Sequence, residues 1–271
     1  MSMRIRVVDA FADRPFTGNP AGVCVLPAGA WPEAAWMQSV AAEMQHAETA
    51  FVKPSPGGDA EWELRWFTPT IEVDLCGHAT LATTHALLAD GLVSGKVGFS
   101  TRSGVLTASV DDGWITLDFP VNRTSEAEAP ADLVAALGAE PVSVHSTGAL
   151  TDVFVVLPDE STLRALAPDL GQVKAINQRD RNRGTIVTAP ADSGVDFVSR
   201  FFAPAAGIPE DPVCGSAHTA LAPYWAERLG RNELVGFQAS ARGGVVRVAT
   251  VGDRVHLSGQ AITTLDGELL V

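Results

Sequence analysis

Short apolar runs broken by charged or turn residues open the chain, and their spacing predicts strands. Arg4–Phe11 and Gly22–Leu26 have the length and the β-branched content of strands, and Thr49–Lys53 and Trp62–Phe67 are shorter ones. Pro32–Met44 is helical, with proline near its start where the missing N–H costs nothing. Gly77–Ala89 is a second helix, with Leu81, His85 and Leu88 on one stripe and small residues on the remaining faces. Val105–Val110 and Trp114–Phe119 form a hairpin across Asp111-Asp112-Gly113. The second half follows the same order. Val153–Leu157 is a strand and Ser161–Leu166 a helix, then come strands Thr185–Thr188 and Phe197–Phe202 and helix Ser216–Leu229. Val245–Ala249 and Arg254–Leu257 pair across Val251-Gly252-Asp253, and a final hairpin is expected over Ala261–Val271, turning at Asp266-Gly267.

The two halves also share sequence. Cys76-Gly77-His78-Ala79 is answered by Cys214-Gly215-Ser216-Ala217, and Val97-Gly98-Phe99 by Val235-Gly236-Phe237 at the same offset. Arg65-Trp66-Phe67-Thr68-Pro69 leads into the first Cys-Gly turn, and Arg200-Phe201-Phe202-Ala203-Pro204 into the second. A period of half the chain is too long for a solenoid and describes a duplicated domain. The expected domains are 1–120 and 131–260, joined by the polar, acidic segment Val121–Pro130, with the 261–271 hairpin returning to complete the first sheet. A Cys-Gly turn in each half points to a two-sided active site in the cleft between them.

Charge narrows the function classes. Thirty-two acidic against 19 basic residues leave a net charge of −13, with no Lys/Arg cluster to neutralise a nucleic-acid backbone or an anionic membrane surface. No apolar run spans a bilayer, and the amino-terminal residues read as a strand instead of a signal peptide. Three cysteines do not make a disulfide framework, so reduced thiols and a cytoplasmic setting are expected.

Each Cys-Gly stands at a helix start, where free N–H groups suit a carboxylate and favour a thiolate. Cys76, Cys214, Gly77, Gly215 and Ser216 are therefore candidate site residues, with buried-core cysteines and plain turn glycines as the alternative reading. Cys24, inside a strand, reads as core. Cys76, His78, Cys214 and His218 lack the spacing of a zinc site, and no dinucleotide or phosphate-loop fingerprint occurs, so neither metal nor cofactor is expected. The halves differ at Glu48, which corresponds to Gly184. A carboxylate at a strand end beside apolar residues is a candidate general acid/base, or else a surface glutamate. Asp211, just before the second turn, and His78 in the first helical turn are candidates to hold polar groups of a ligand, and Asn19 in Gly18-Asn19-Pro20 to donate its amide.

In Asp9-Ala10-Phe11, Gly18-Asn19-Pro20, Glu48-Thr49-Ala50-Phe51, Phe67-Thr68-Pro69, Cys76-Gly77-His78-Ala79-Thr80 and the run Glu210 to His218, the chain resembles the phenazine-biosynthesis PhzF-like family of the diaminopimelate epimerase-like superfamily. The resemblance implies two similar α/β domains, each a sheet wrapped around a central helix, an active site between them, and cofactor-independent isomerisation of a small carboxylate-bearing substrate by a homodimer. It further implies that Glu48 shuttles a proton, with His78 and Asp211 beside it. Amino-acid epimerases of the superfamily use two cysteines instead, matching Cys76 and Cys214. This chain carries both sets, whereas many family members have threonine at the Cys214 position. Three readings follow: a Glu48 isomerase, a two-thiol racemase or epimerase whose helix N-termini cradle the α-carboxylate, and a binding module without chemistry.

Overall fold

In the computed structural model, which describes residues 2–192 and 194–270, the chain divides into two compact units, 1–118 with 258–271 and 119–257. In the first, Ser2–Ala10 is antiparallel to Asn19–Val25, which is parallel to Glu48–Pro54. That strand is antiparallel to Trp62–Phe67, then follow Lys96–Thr101 in parallel and Gly104–Asp111 antiparallel. The second unit repeats this series of senses. Ser143–Ser146 is antiparallel to Val153–Val156, which is parallel to Thr185–Pro190. Phe197–Phe202 follows antiparallel, Glu233–Gln238 parallel and Gly244–Val251 antiparallel. The registers agree too: Thr49 faces Phe67 in one unit, and Thr185 faces Phe202 in the other. Gly184 thus holds the place in the second unit that Glu48 holds in the first. Each unit is a mixed sheet with helices, and the architecture is a duplicated α/β fold.

Helix α1 (Ala34–Met44) covers a core of Ile5, Cys24, Leu26, Met37, Val40, Phe51 and Phe67 in the first unit. Helix α2 (Gly77–Ala89) packs against Ser2–Ala10, Asn19–Val25, Glu48–Pro54 and the last strand, Ala261–Leu270. It is buried on nearly every face, which requires a helix without charge and with small side chains. Its three buried threonines comply by returning their hydroxyls to the helix: Thr80, Thr83 and Thr84 each donate to the carbonyl four residues back, at 2.6, 2.7 and 2.9 Å.

In the second unit, α3 (Ala131–Leu137), α4 (Glu160–Ala165) and α5 (Leu170–Asp180) cover one core, built on Leu133, Val155, Leu163, Val173, Val187 and Phe202. Helix α6 (Gly215–Leu229) is the counterpart of α2, packed against Glu233–Gln238 and Gly244–Val251. Pro223 lies inside α6 and cannot donate to the carbonyl of Thr219. Asn122 supplies the missing donor, its backbone N–H reaching Thr219 O at 3.1 Å and its amide Thr219 Oγ1 at 2.8 Å.

Two expectations are corrected. Ala261–Leu270 is one continuous strand and not a hairpin, paired antiparallel along Ser2–Ala10. Asp266 opposes Arg6 in this ladder and takes the Arg4 Nε–H at 2.7 Å, so a cross-strand ion pair holds the Asp-Gly step extended where a turn had been expected. The Val121–Pro130 segment is no loose linker. Val121 N–H bonds Asp253 O at 2.9 Å, and Ser125–Glu126 pairs with Ser143–Ser146. Helices α3 and α5 were not anticipated, because each contributes only a few buried apolar residues between polar ones. Among the described residues, no helix is long and apolar enough to cross a membrane.

Candidate active site

The first unit assembles its candidates at the amino end of α2. Cys76 is the N-cap residue, in extended conformation, so Gly77 and His78 occupy the first helical positions. Glu48 opens the strand beside it, paired with Ala21 of the neighbouring strand. Asn19 starts that neighbouring strand, fully buried. Gly18 precedes it at φ +67°, where a Cβ would lie 2.2 Å from Ala10 O, so only glycine allows the chain to enter here.

These elements bring carboxylate, imidazole and thiol together. Cys76 Sγ is 3.5 Å from His78 Nδ1, and Glu48 Oε2 is 3.2 Å from His78 Nε2. The second approach is a close contact, off the line of a hydrogen bond. Burial pushes the His78 pKa down to about 3, with the nearby charge of His46 adding to it, so the ring is neutral. The donor atoms of Glu48, Cys76 and His78 lie within 4.8 Å of one another, and the set is chemically a zinc-type one. However, Cys76 and Glu48 address opposite nitrogens of one imidazole. That is the order of a polar chain, not of ligands converging on one ion.

The second unit presents Cys214 as N-cap of α6, with Gly215 and Ser216 opening the helix and Asp211 in the loop before it. Gln238, fully buried in the strand Glu233–Gln238, clamps this loop. Its Oε1 accepts the Cys214 N–H at 2.8 Å and its Nε2 donates to Asp211 O at 2.6 Å. Ser240 Oγ donates to Pro212 O at 2.8 Å. Cys214 Sγ is 3.3 Å from Ser216 Oγ, and His218 Nδ1 meets Cys214 O at 2.8 Å.

The helix start does not make Cys214 a thiolate, contrary to expectation. Burial, then the negative charge of Asp211, push its pKa up to about 12 against the opposing pull of Arg183 and the Ser216 hydroxyl. Cys24 is the buried core thiol expected of it, and burial pushes its pKa up as well.

Duplication extends to the supports. Arg65 forks Glu72 at 2.7 and 2.8 Å ahead of the first turn, and Arg200 forks Glu210 at 2.8 and 3.0 Å ahead of the second. Both loops are thereby tied to their sheets by bidentate ion pairs. Sequence reasoning missed Glu72, Gln238, Arg183 and the buried Asp152 that pairs with Arg183. The two arginines of the repeat, Arg65 and Arg200, were visible, but their partners lie at unequal offsets. Gln238 follows the repeated Val-Gly-Phe, where the first half has Ser100, and that mismatch was the available signal.

Comparison with known proteins identifies the family. The family model described as phenazine biosynthesis-like protein matches residues 8–267. A Halalkalibacterium halodurans protein named an uncharacterized isomerase is 45% identical over 275 residues, covering 100% of both chains. The crystal structure of a phenazine biosynthesis protein of the PhzF family from Enterococcus faecalis superposes with a TM-score of 0.93 at 41% identity, covering 100% of each chain. A predicted epimerase from Pseudomonas aeruginosa shares the fold, with a TM-score of 0.71 at 21% identity and 99% of each chain covered. On the family model over residues 8–267 and these relatives, the chain belongs to the phenazine biosynthesis-like protein family and is an isomerase.

Proposed function

We propose that the protein moves a proton between two carbons of a small carboxylate-bearing substrate, with Glu48 as the proton carrier and no cofactor. The observation behind this reading is the asymmetry of a duplicated chain: Glu48 stands against His78 in the first unit, and its counterpart in the second is Gly184. One base serves removal and return on the same face, whereas inversion needs a group on each face. Glu48 as carboxylate takes a proton from a C–H bond, becoming the acid, and the electron pair delocalises into the conjugated system of the substrate. The acid then returns the proton to a second carbon and regenerates the carboxylate. His78, neutral at any physiological pH, keeps its place beside Glu48 without adding a positive charge that would weaken the base. The N–H groups of Gly77, Gly215 and Ser216 at the two helix starts provide for negative charge on the substrate, with Asn19 and Asp211 as further polar partners. Cys214, with its pKa raised to about 12, is a neutral thiol and suits hydrogen bonding more than proton removal at neutral pH. A cytoplasmic homodimer is part of the same proposal.

The test is a deuterium-exchange screen of small unsaturated carboxylates and amino acids in D2O, read by NMR. With a responding substrate, Glu48→Gln lowers turnover by about 10²–10⁴-fold, the range for loss of a positioned acid/base. Cys214→Ser retains most activity. The opposite pattern, with Cys214→Ser inactive in a reaction that inverts an α-carbon and Glu48→Gln active, would establish the two-thiol racemase in its place.

A further inference from the structure

At the position matched to Glu48, the second unit has built something of opposite charge. Gly184 has no Cβ, and one placed there would stand 2.6 Å from Phe201 Cζ and 2.9 Å from Phe202 O. No carboxylate side chain fits at this point. The Phe201 ring fills the space, and the guanidinium of Arg183 lies over that ring at 5.0 Å from its centroid. Asp152, with no exposed side-chain surface, holds the same guanidinium from one edge: Arg183 Nε donates to Oδ1 at 2.9 Å and Nη2 to Oδ2 at 2.5 Å. Arg183 Nη1 donates to Ser216 Oγ at 2.8 Å, and Ser216 Oγ touches Cys214 Sγ at 3.3 Å. The guanidinium is thus fixed in plane by Phe201, Asp152 and Ser216, beside the start of α6.

Among the described residues, these bonds occupy three of the five N–H donors of an arginine, leaving one on Nη1 and one on Nη2. The side chain is 35% exposed, although Asp152 beneath it is fully buried. An arginine with one edge locked, two N–H donors left over and a part-exposed side chain is a ready-made fork for a carboxylate. Cys214 and Asp211 are the other titratable groups that feel its charge.

We infer that Arg183, with Ser216, is the anion-recognition element of the second unit, taking a carboxylate of the substrate beside Cys214. This rests on reading the Cys214–Ser216 turn as part of the catalytic site. It gives the two units different tasks: the first carries the base, and the second carries the cation that fixes the acid group. Asp152 and Phe201 act as positioning residues for Arg183.

The experiment needs no substrate. Alkylation of Cys214 by iodoacetate and by iodoacetamide is followed by peptide mass spectrometry, and the rate ratio is compared with that of free cysteine. The wild-type ratio is expected to favour iodoacetate over the free-thiol ratio by about tenfold or more, the scale of a charge-assisted hydrogen-bonded contact. Arg183→Lys, which keeps the charge but not the fork, reduces the preference. Arg183→Met alone strands a buried carboxylate, so the second variant is the double replacement Asp152→Leu with Arg183→Met, which brings the ratio to that of free cysteine. Melting temperature in excess malonate is the parallel readout: it rises for the wild type and stays flat for the double variant. A wild type with neither the charge preference nor the malonate response overturns the inference, as do responses that persist in the folded double variant. Either result leaves the Glu48→Gln test untouched, so failure here is distinct from failure of the isomerase mechanism.

Discussion

Replacing Gln238 by methionine isolates what holds the second Cys-Gly turn in place. The side chain is fully buried and bridges two backbone groups of the loop, the Cys214 N–H at 2.8 Å and the Asp211 carbonyl at 2.6 Å. Methionine keeps the volume, so the cavity contribution is small and the loss is of two polar partners. A buried backbone group left unsatisfied costs about 1–3 kcal/mol, so the two together predict a destabilisation of about 2–6 kcal/mol. Urea unfolding monitored by tryptophan fluorescence, with the midpoint shift multiplied by the common slope, measures this directly. The same variant should loosen the turn around Cys214, a thiol only 5% exposed in the native chain, and raise its alkylation rate while leaving Cys24 unreactive. A destabilisation below about 1 kcal/mol together with unchanged Cys214 reactivity would refute the clamp, because both orphaned groups would then have found other partners.

Two further outcomes follow from named contacts. Gly184→Ala should destabilise by about 1–3 kcal/mol, the usual range for forcing a methyl into a packed site, and should disturb the Arg183 stack on Phe201; an unchanged melting temperature and an unchanged iodoacetate preference at Cys214 would contradict it. Burial lowers the His218 pKa from the ordinary 6.5 to about 4, so the unfolded chain binds the extra proton first as pH falls. Stability from this group is present above pH 6.5 and is lost toward pH 4, with a slope of up to about 1.4 kcal/mol per pH unit. His218→Gln should flatten the stability profile by that amount in this window, and a profile of unchanged slope would sink the assignment.

Several elements were written in the chain itself. Helix Gly77–Ala89 and strands Trp62–Phe67 and Phe197–Phe202 have the boundaries that periodicity and the repeat indicated. Their signals are local: side-chain size, spacing, and a glycine or proline at the end. The duplication was legible for the same reason, because two copies of one unit bury the same faces and keep the same turn residues. The nearness of Cys76, Gly77 and His78 follows from their adjacency in sequence. Glu48 was picked out as the point where the halves diverge.

Tertiary structure decided what depends on partners distant along the chain. Asp266-Gly267 has the composition of a turn, yet it runs straight because arginines of the first strand engage Asp266 from across the ladder. A helix start favours a thiolate in isolation, yet Cys214 is held neutral because desolvation and Asp211 outweigh the helix and Arg183. Gln238 and Asp152 carry no motif, since a buried amide or carboxylate is defined by the groups it bonds, and those lie 24 and 31 residues away for Cys214 and Arg183. Local composition specifies which element forms. The charge state of a group and the partner it meets are set by burial and by long-range contact, and these exist only once the chain has folded.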